Sequence, residues 1–224
     1  MPLSVIIVQF VCFGAYIAAC TFWPAGTWTY PAAWVLLIEM MIGGVAITAW
    51  LARANPSLLR ERMGSPVQRG QEAWDRVFLI LLMAGFTAWL AFSAWDASQH
   101  DFLAVPVWLQ AIGAVAVAAY MWGAWRTFRE NSFAAPVVKL QEGQKTIDTG
   151  PYAIVRHPMY SSALGLFIGA PLLLGSYWGM VGSVVLILGI AWRAVKEERM
   201  LSASLKGYDD YMKRVRYRFA PYVW

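Results

Sequence analysis

Long uncharged stretches alternate with short polar segments along this chain of 224 residues. A helix crosses a bilayer with about 20 mostly apolar residues, so each stretch of that length predicts a membrane span. Four spans are predicted in the first part of the chain: Leu3–Trp23, Ala32–Leu51, Val77–Trp95 and one within Phe102–Trp125. A short surface helix is predicted around Ser57–Met63, between the second and third spans.

A longer uncharged run follows at Pro158–Trp192, and Gly175-Ser176 near its middle predicts a tight turn. We expect a hairpin of two helices, each about 17 residues and roughly 25 Å long. The pattern therefore predicts an all-α, polytopic membrane bundle of about six transmembrane helices, in which the last two form a short hairpin. Residues 1–125 would hold the first four helices, and residues 126–224 a C-terminal core with the hairpin and a tail.

Charge gives this bundle an orientation. All 18 Lys and Arg residues fall into three segments: Arg53–Arg76, Arg126–Arg156 and Arg193–Arg218. Lys and Arg mark the cytoplasmic side of a membrane protein. Six crossings would put these segments, both termini and the polar chemistry on that side, as expected for an integral protein of the bacterial inner membrane.

The composition indicates which kinds of molecule the protein binds. Only 14% of the residues are charged, against about 25% in soluble domains. Acidic residues interrupt the basic segments, which favours contact with anionic lipid headgroups over nucleic acid. The sequence has no cluster of residues with metal-ligand spacing, so no metal is expected. Glu39 is the only ionisable side chain deep inside a predicted span, and either a functional role or a hydrogen-bonded, protonated glutamate fits it.

The densest polar chemistry lies around the last two predicted spans. Pro158 suits the first turn of a helix, which puts His157 at the cap. With Arg156 adjacent, this helix end favours a carboxylate or phosphate, although an arginine on lipid headgroups and a capping histidine fit equally well. Glu197-Glu198 follow the last predicted span, where they would balance nearby cations or hold an ammonium group or ribose hydroxyls.

An ordered set of motifs carries a family resemblance. It consists of Gly150-Pro151-Tyr152, Arg156-His157-Pro158-Met159-Tyr160, an apolar hairpin, Glu197-Glu198 and Tyr208-Asp209-Asp210-Tyr211. This set resembles the isoprenylcysteine carboxyl methyltransferase family, which is similar to membrane phospholipid methyltransferases. The resemblance covers about Asn131 to Trp224. It implies an integral membrane carboxyl O-methyltransferase that binds S-adenosylmethionine in a cytoplasm-facing pocket, while a lipophilic, isoprenylcysteine-like acceptor enters from the bilayer.

The same resemblance assigns residues to roles. The implied cofactor-binding residues are Gln144, Gly150, Tyr152, His157, Tyr160, Glu197 and Glu198. The residues implied at the reacting groups are Arg156, Arg193 and Glu198. Relatives often carry a histidine where this chain has Gln144, whose amide still donates and accepts hydrogen bonds.

Other functions stay open at this stage. An amine of a phospholipid, or a thiol, would need a base such as Glu197 or Glu198. A membrane reductase that uses NADPH would need cations for a 2′-phosphate, and the row Arg214, Arg216 and Arg218 offers them. A non-catalytic transporter or scaffold would show helices broken near mid-membrane, for which Gly43-Gly44 and Gly169-Ala170-Pro171 are the only hints.

Overall fold

The structure, a computed structural model, describes residues 2–65, 67–99 and 105–224. Within these residues the regular elements are all helical. The α-helices are α1 (Leu3–Ala25), α2 (Pro31–Ala54), α3 (Pro56–Arg62), α4 (Ala73–Gln99), α5 (Val107–Glu130), α6 (Pro158–Leu174), α7 (Tyr177–Ser204) and α8 (Tyr208–Arg214). A short 3-10 helix, Gly150–Ala153, precedes α6. The predicted all-α class and the short helix near Ser57 are confirmed.

Five of these helices, α1, α2, α4, α5 and α7, are long and apolar enough to cross a membrane. The sixth apolar helix, α6, has 17 residues. Together they form the predicted polytopic bundle. The fourth span was predicted within Phe102–Trp125; Phe102 lies outside the described residues, and α5 begins at Val107.

The predicted turn between the last two helices is confirmed, but the length of the second helix was wrong. Gly175 ends α6 with a φ of 94°, and Ser176 caps α7 by accepting the Gly179 N–H at 2.7 Å. Helix α7 then runs for 28 residues instead of about 17. The uncharged run ends at Trp192, yet the helix continues because Arg193 and Glu198 turn into the protein and are buried there. The two adjacent glutamates therefore lie within α7 and not beyond its end.

Small residues let the helix backbones approach each other closely. A Cβ atom added to Gly113 of α5 would lie 2.4 Å from the backbone nitrogen of Leu173 in α6. A Cβ added to Gly169 would lie 2.7 Å from the carbonyl oxygen of Gly113. In α2, a Cβ on Gly43 would lie 2.7 Å from the Met121 side chain. These glycines are thus packing positions in continuous helices.

The three basic segments gather at one end of the bundle. Lys139 pairs with Glu61 at 2.6 Å, which joins the second segment to the first. Arg214 pairs with Asp148 at 2.6 Å, which joins the third segment to the second. The turn at Gly175 lies at the other end of α6, away from these pairs. The shared end follows the predicted charge pattern, and its cytoplasmic orientation stays a prediction.

Candidate functional site

A cavity of about 660 Å³ lies among the helices and reaches the end where the basic segments meet. Its polar part is formed near that end by residues that include Asn131, Gln144, Lys145, Tyr152, His157, Glu197 and Tyr208. Its apolar part is formed by residues of three helices, including Phe13, Leu79, Leu82, Met83, Phe86, Leu166 and Phe167. One cavity therefore joins a polar chamber to an apolar one between α1, α4 and α6.

Arg156 binds the last part of the chain to α7. Its Nε donates to Glu198 Oε1 at 2.6 Å, and its Nη1 donates to the carbonyl oxygen of Val215 at 2.9 Å. Both charged side chains are buried, and charge-assisted contacts of this kind are strong. Glu198 Oε2 also accepts from Arg218 Nε at 2.8 Å. The Arg156–Glu198 pair is thus a buried clamp on the C-terminal segment.

His157 is the N-cap residue of α6, as its position before Pro158 predicted, but its side chain makes no capping hydrogen bond. Its ring nitrogen Nε2 lies 3.2 Å from Glu198 Oε1, and its ring stacks on Tyr160 with 5.3 Å between the centroids. Its backbone N–H donates to the carbonyl oxygen of Arg218 at 2.9 Å. The C-terminal segment therefore occupies the His157 N–H, one of the backbone donors at the start of α6 where the sequence predicted an anion site.

Arg193 organises the opposite wall. Its Nε donates to Asp75 Oδ1 at 2.8 Å, and its Nη2 donates to the carbonyl oxygen of Pro136 at 2.9 Å. Its Nη1 donates to the Tyr160 hydroxyl at 2.9 Å, and that hydroxyl donates to Glu197 Oε2 at 2.8 Å. Arg193 thus holds α4, the loop at Pro136 and the Tyr160 phenol together beside the cavity.

The structure brings most of the predicted site residues to this cavity. Those that line it are Gln144, Tyr152, Arg156, His157, Tyr160, Arg193 and Glu197. Gly150 and Glu198 lie behind the wall. A Cβ on Gly150 would lie 2.6 Å from the Glu130 carboxylate, and Glu198 is held by the arginines described above. The roles assigned to all nine residues stay predictions.

Two residues of the first half were missed. Asp75 is fully buried and holds Arg193, although beside Arg76 it resembles an ordinary solvated charge at a helix start. Arg62 lines the cavity from α3. Its spacing of three and four residues from the buried Leu59 and Leu58 would have placed it on the inward face of that helix.

Burial changes the acid–base character of the groups at the polar end. The pKa of the Arg62 guanidinium falls to about 10, because burial disfavours its charged form. The pKa of the Tyr152 phenol is raised for the same reason. Both side chains therefore keep their ordinary forms near pH 7, a cation and a neutral phenol whose oxygen accepts from Asn131 Nδ2 at 2.8 Å.

The comparisons with known proteins bear on this same region. A family model described as phospholipid methyltransferase matches residues 102–206, which contain α5, the 3-10 helix, α6 and α7. A search among curated proteins finds no significant match. Residues 102–206 thus match the phospholipid methyltransferase family, which includes the isoprenylcysteine carboxyl methyltransferases, and this match supports a membrane methyltransferase.

Proposed function

We propose that this protein is a membrane methyltransferase that uses S-adenosylmethionine to methylate the carboxylate of a lipophilic, isoprenylcysteine-like acceptor. The observation that carries the proposal is the continuous cavity with a polar chamber and an apolar one. A polar, water-soluble donor fits the first chamber, and a hydrocarbon chain fits the second. Because the two chambers join, both molecules can meet without either leaving its preferred surroundings.

The polar chamber fits the donor in chemistry, and the cavity as a whole has the size of a small-molecule site. The whole cavity, with a volume of about 660 Å³, lies within the range of roughly 300–1,000 Å³ usual for small-molecule sites. Glu197 offers a carboxylate to the donor's ammonium, and Asn131 and Tyr152 offer polar groups to its sugar or base. When bound, S-adenosylmethionine supplies a methyl group already activated on a positively charged sulfur.

The charges of the wall favour an anionic acceptor. Among the described residues that line the cavity, the cations are Arg62, Lys139, Lys145, Arg156 and Arg193, and the one carboxylate is that of Glu197. Carboxylates that do not line the cavity pair with Lys139, Arg156 and Arg193, so Arg62 and Lys145 leave a small excess of positive charge that attracts a carboxylate. A carboxylate is also ionised at neutral pH, so no side chain has to remove a proton from it.

The chain would then contribute positioning and exclusion of water. Arg156 and Arg193 are fixed by Glu198 and Asp75, so the wall needs no rearrangement when a ligand binds. Alignment of two reacting atoms at roughly 3–3.5 Å is a large part of what an enzyme can supply. Cancellation of opposite charges in a water-poor cavity would further favour the reaction.

The alternatives make different demands on the same residues. A phospholipid amine or a thiol needs a base, and Glu197 is the carboxylate that lines the cavity. A reductase needs cations for the NADPH 2′-phosphate, but Arg214 already pairs with Asp148 and Arg218 with Glu198. A carboxyl methyltransferase needs neither a base nor a phosphate site, so it fits this arrangement of residues best.

Calorimetric titration of the purified protein with S-adenosylmethionine tests the proposal. We expect binding in the wild type and weaker binding in His157→Ala and Glu198→Ala. Arg216→Ala, an exposed cation of the same segment, is the matched control and should bind like the wild type. Absence of binding, or equal binding in all three variants, contradicts the proposal. Competition by NADPH would favour the reductase instead.

Identification of the product tests the acceptor. Membrane lipid extracts are incubated with the protein and methyl-labelled S-adenosylmethionine, and the labelled product is analysed by mass spectrometry. A base-labile methyl ester supports the carboxylate, whereas a base-stable methyl group on an amine or sulfur contradicts it.

A further inference from the structure

Arg62 brings a positive charge into the cavity from outside the residues that match the family. It is the last residue of α3, and the neighbouring Leu58 and Leu59 bury the same face of that helix. Its Nη1 donates to the carbonyl oxygen of Ala134 at 2.9 Å. Its guanidinium carbon lies 4.1 Å from the centroid of the Phe128 ring. These contacts hold the guanidinium in place beside the cavity.

The other arginines and one of the lysines in the cavity wall have carboxylate partners. Glu198 pairs with Arg156, Asp75 with Arg193, and Glu61 with Lys139. Lys145 is exposed.

Arg62 differs from these cations. In the part of the chain that the structure describes, no carboxylate lies within 4.0 Å of its guanidinium. Burial is the largest effect on its charge and disfavours it, and the nearby charge of Arg193 disfavours it as well.

Such a charge calls for an anionic partner. Arg62 is half-buried at the cavity wall, and a charge partly removed from water is costly unless another charge or several hydrogen bonds compensate it. A guanidinium has five N–H donors in a planar fork, and the Ala134 carbonyl takes one of them. The fork matches the two oxygens of a carboxylate, which it can bind through two parallel hydrogen bonds.

We propose that Arg62 binds the carboxylate of a ligand in the cavity. The ligand is either the methyl donor, through its amino-acid carboxylate, or the acceptor, through the carboxylate that is methylated. This inference rests on the proposed function for the identity of the two ligands. It assigns to the first half of the chain a binding residue for the reaction of the second half.

The first arm of the test compares S-adenosylmethionine with its decarboxylated analogue by calorimetry. If the donor's carboxylate binds Arg62, the wild type prefers S-adenosylmethionine, and Arg62→Gln reduces that preference by about 10- to 100-fold. The second arm compares N-acetyl-S-farnesylcysteine with its carboxamide on protein in lipid nanodiscs. If the acceptor's carboxylate binds Arg62, the same loss of preference appears in this arm.

Two further variants separate binding from folding. Arg62→Lys keeps the charge but lacks the planar fork, so it should retain part of the preference for the carboxylate, even if Arg62→Gln is too unstable to purify. Arg60→Gln removes an exposed charge from the same helix and should behave like the wild type. Thermal unfolding of each variant shows whether it is folded.

The outcomes are distinct. A loss of preference in either arm supports the proposal and names the ligand. A preference that Arg62→Lys keeps in part and Arg62→Gln loses also supports it. The proposal is overturned if the wild type prefers neither carboxylate ligand, or if the preferences survive in Arg62→Gln or, where that variant cannot be purified, are lost in a folded Arg62→Lys. Failure of S-adenosylmethionine to bind at all, with a farnesylcysteine preference that needs Arg62, contradicts the proposed function alone.

Discussion

Asp75 accepts the Nε–H of Arg193 at 2.8 Å and so joins α4 to α7 across 118 positions of sequence. Its second oxygen accepts the backbone N–H of Val138 at 2.8 Å, which holds the loop before the 3-10 helix against α4. Arg193 lies within the residues that match the family, and Asp75 lies before them. The cavity wall is therefore assembled from both parts of the chain.

Replacement of Asp75 by alanine should destabilise the protein severely. Arg193 would stay buried without its counter-charge, and breaking a buried ion pair from one side costs about 3–5 kcal/mol. We expect Asp75→Ala to lower the thermal unfolding midpoint by several degrees, measured in detergent with a fluorescent or light-scattering probe.

The control for this change is Asp210→Ala, which removes one partner of an exposed pair with Lys213. Exposed pairs contribute little, so its midpoint should match that of the wild type. The double variant Asp75→Ala/Arg193→Met should recover part of the loss, because it leaves no unpaired charge. An additive loss in the double variant would contradict a direct coupling between the two residues.

Replacement of Glu198 by glutamine should weaken donor binding through its neighbours. Glu198 lies behind the wall and holds Arg156, His157 and Arg218, so it is a positioning residue. Loss of hydrogen bonds to a charged group costs about 1.5–3 kcal/mol, which corresponds to a dissociation constant for S-adenosylmethionine raised by at least about tenfold.

Two readouts separate this role from general instability. Limited trypsin digestion should cut Glu198→Gln faster at Arg216, because Arg156 and Arg218 hold the C-terminal segment through Glu198. Glu198→Asp keeps the charge and should partly restore binding. If the glutamine variant binds the donor as tightly as the wild type, Glu198 does not position the polar chamber.

The contact between α5 and α6 should be intolerant of a single methyl group at Gly113. The added Cβ would meet backbone atoms of α6 at 2.4 Å, and backbone cannot move aside cheaply. We expect Gly113→Ala to cost about 1–3 kcal/mol in thermal unfolding. Gly85→Ala is the matched control, because its Cβ would meet a Leu186 methyl at 3.6 Å, an ordinary contact. Equal effects would contradict the close backbone approach.

The local chemistry of the sequence predicted a good part of the fold. Pro158 placed His157 at a helix cap, and Gly175-Ser176 placed the turn after α6, because both depend on neighbouring residues only. The predicted end of α7 was wrong, because the first charged residues after Trp192 predict the end of the span but not the end of the helix. Whether a charged residue leaves the membrane or turns into the protein depends on partners such as Asp75, which lie far away in sequence.

The candidate site divides in the same way. The motif residues around Tyr160 and Glu197 do line one cavity, as their order along the chain suggested. Arg62 and Asp75 belong to no motif. Their places at the site depend on the loop that contains Ala134 and Val138, which packs against both side chains. A sequence pattern shows which residues share a helix face, but it does not show which two helices bring their charges together.

The pH dependence of methyl transfer distinguishes the classes of acceptor. Glu197 is the carboxylate in the cavity wall, and its Oε2 accepts from the Tyr160 hydroxyl. For a carboxylate acceptor, Glu197→Gln should weaken donor binding but leave the chemical step, measured in single turnovers, independent of pH between about 6 and 9. For an amine or thiol acceptor, loss of the base should slow that step by about 10²- to 10⁴-fold. The second result would contradict a carboxyl methyltransferase.

A bulky side chain in the apolar chamber should affect the acceptor and not the donor. Leu82 of α4 lines the cavity, whereas the adjacent Leu81 is 65% exposed and faces away from it. Leu82→Trp would fill part of the chamber, so we expect a higher KM for a farnesylated acceptor with an unchanged dissociation constant for S-adenosylmethionine. Leu81→Trp adds the same volume on the outer face and should leave both constants unchanged. If Leu82→Trp weakens the donor and the acceptor equally, the two ligands do not occupy separate chambers.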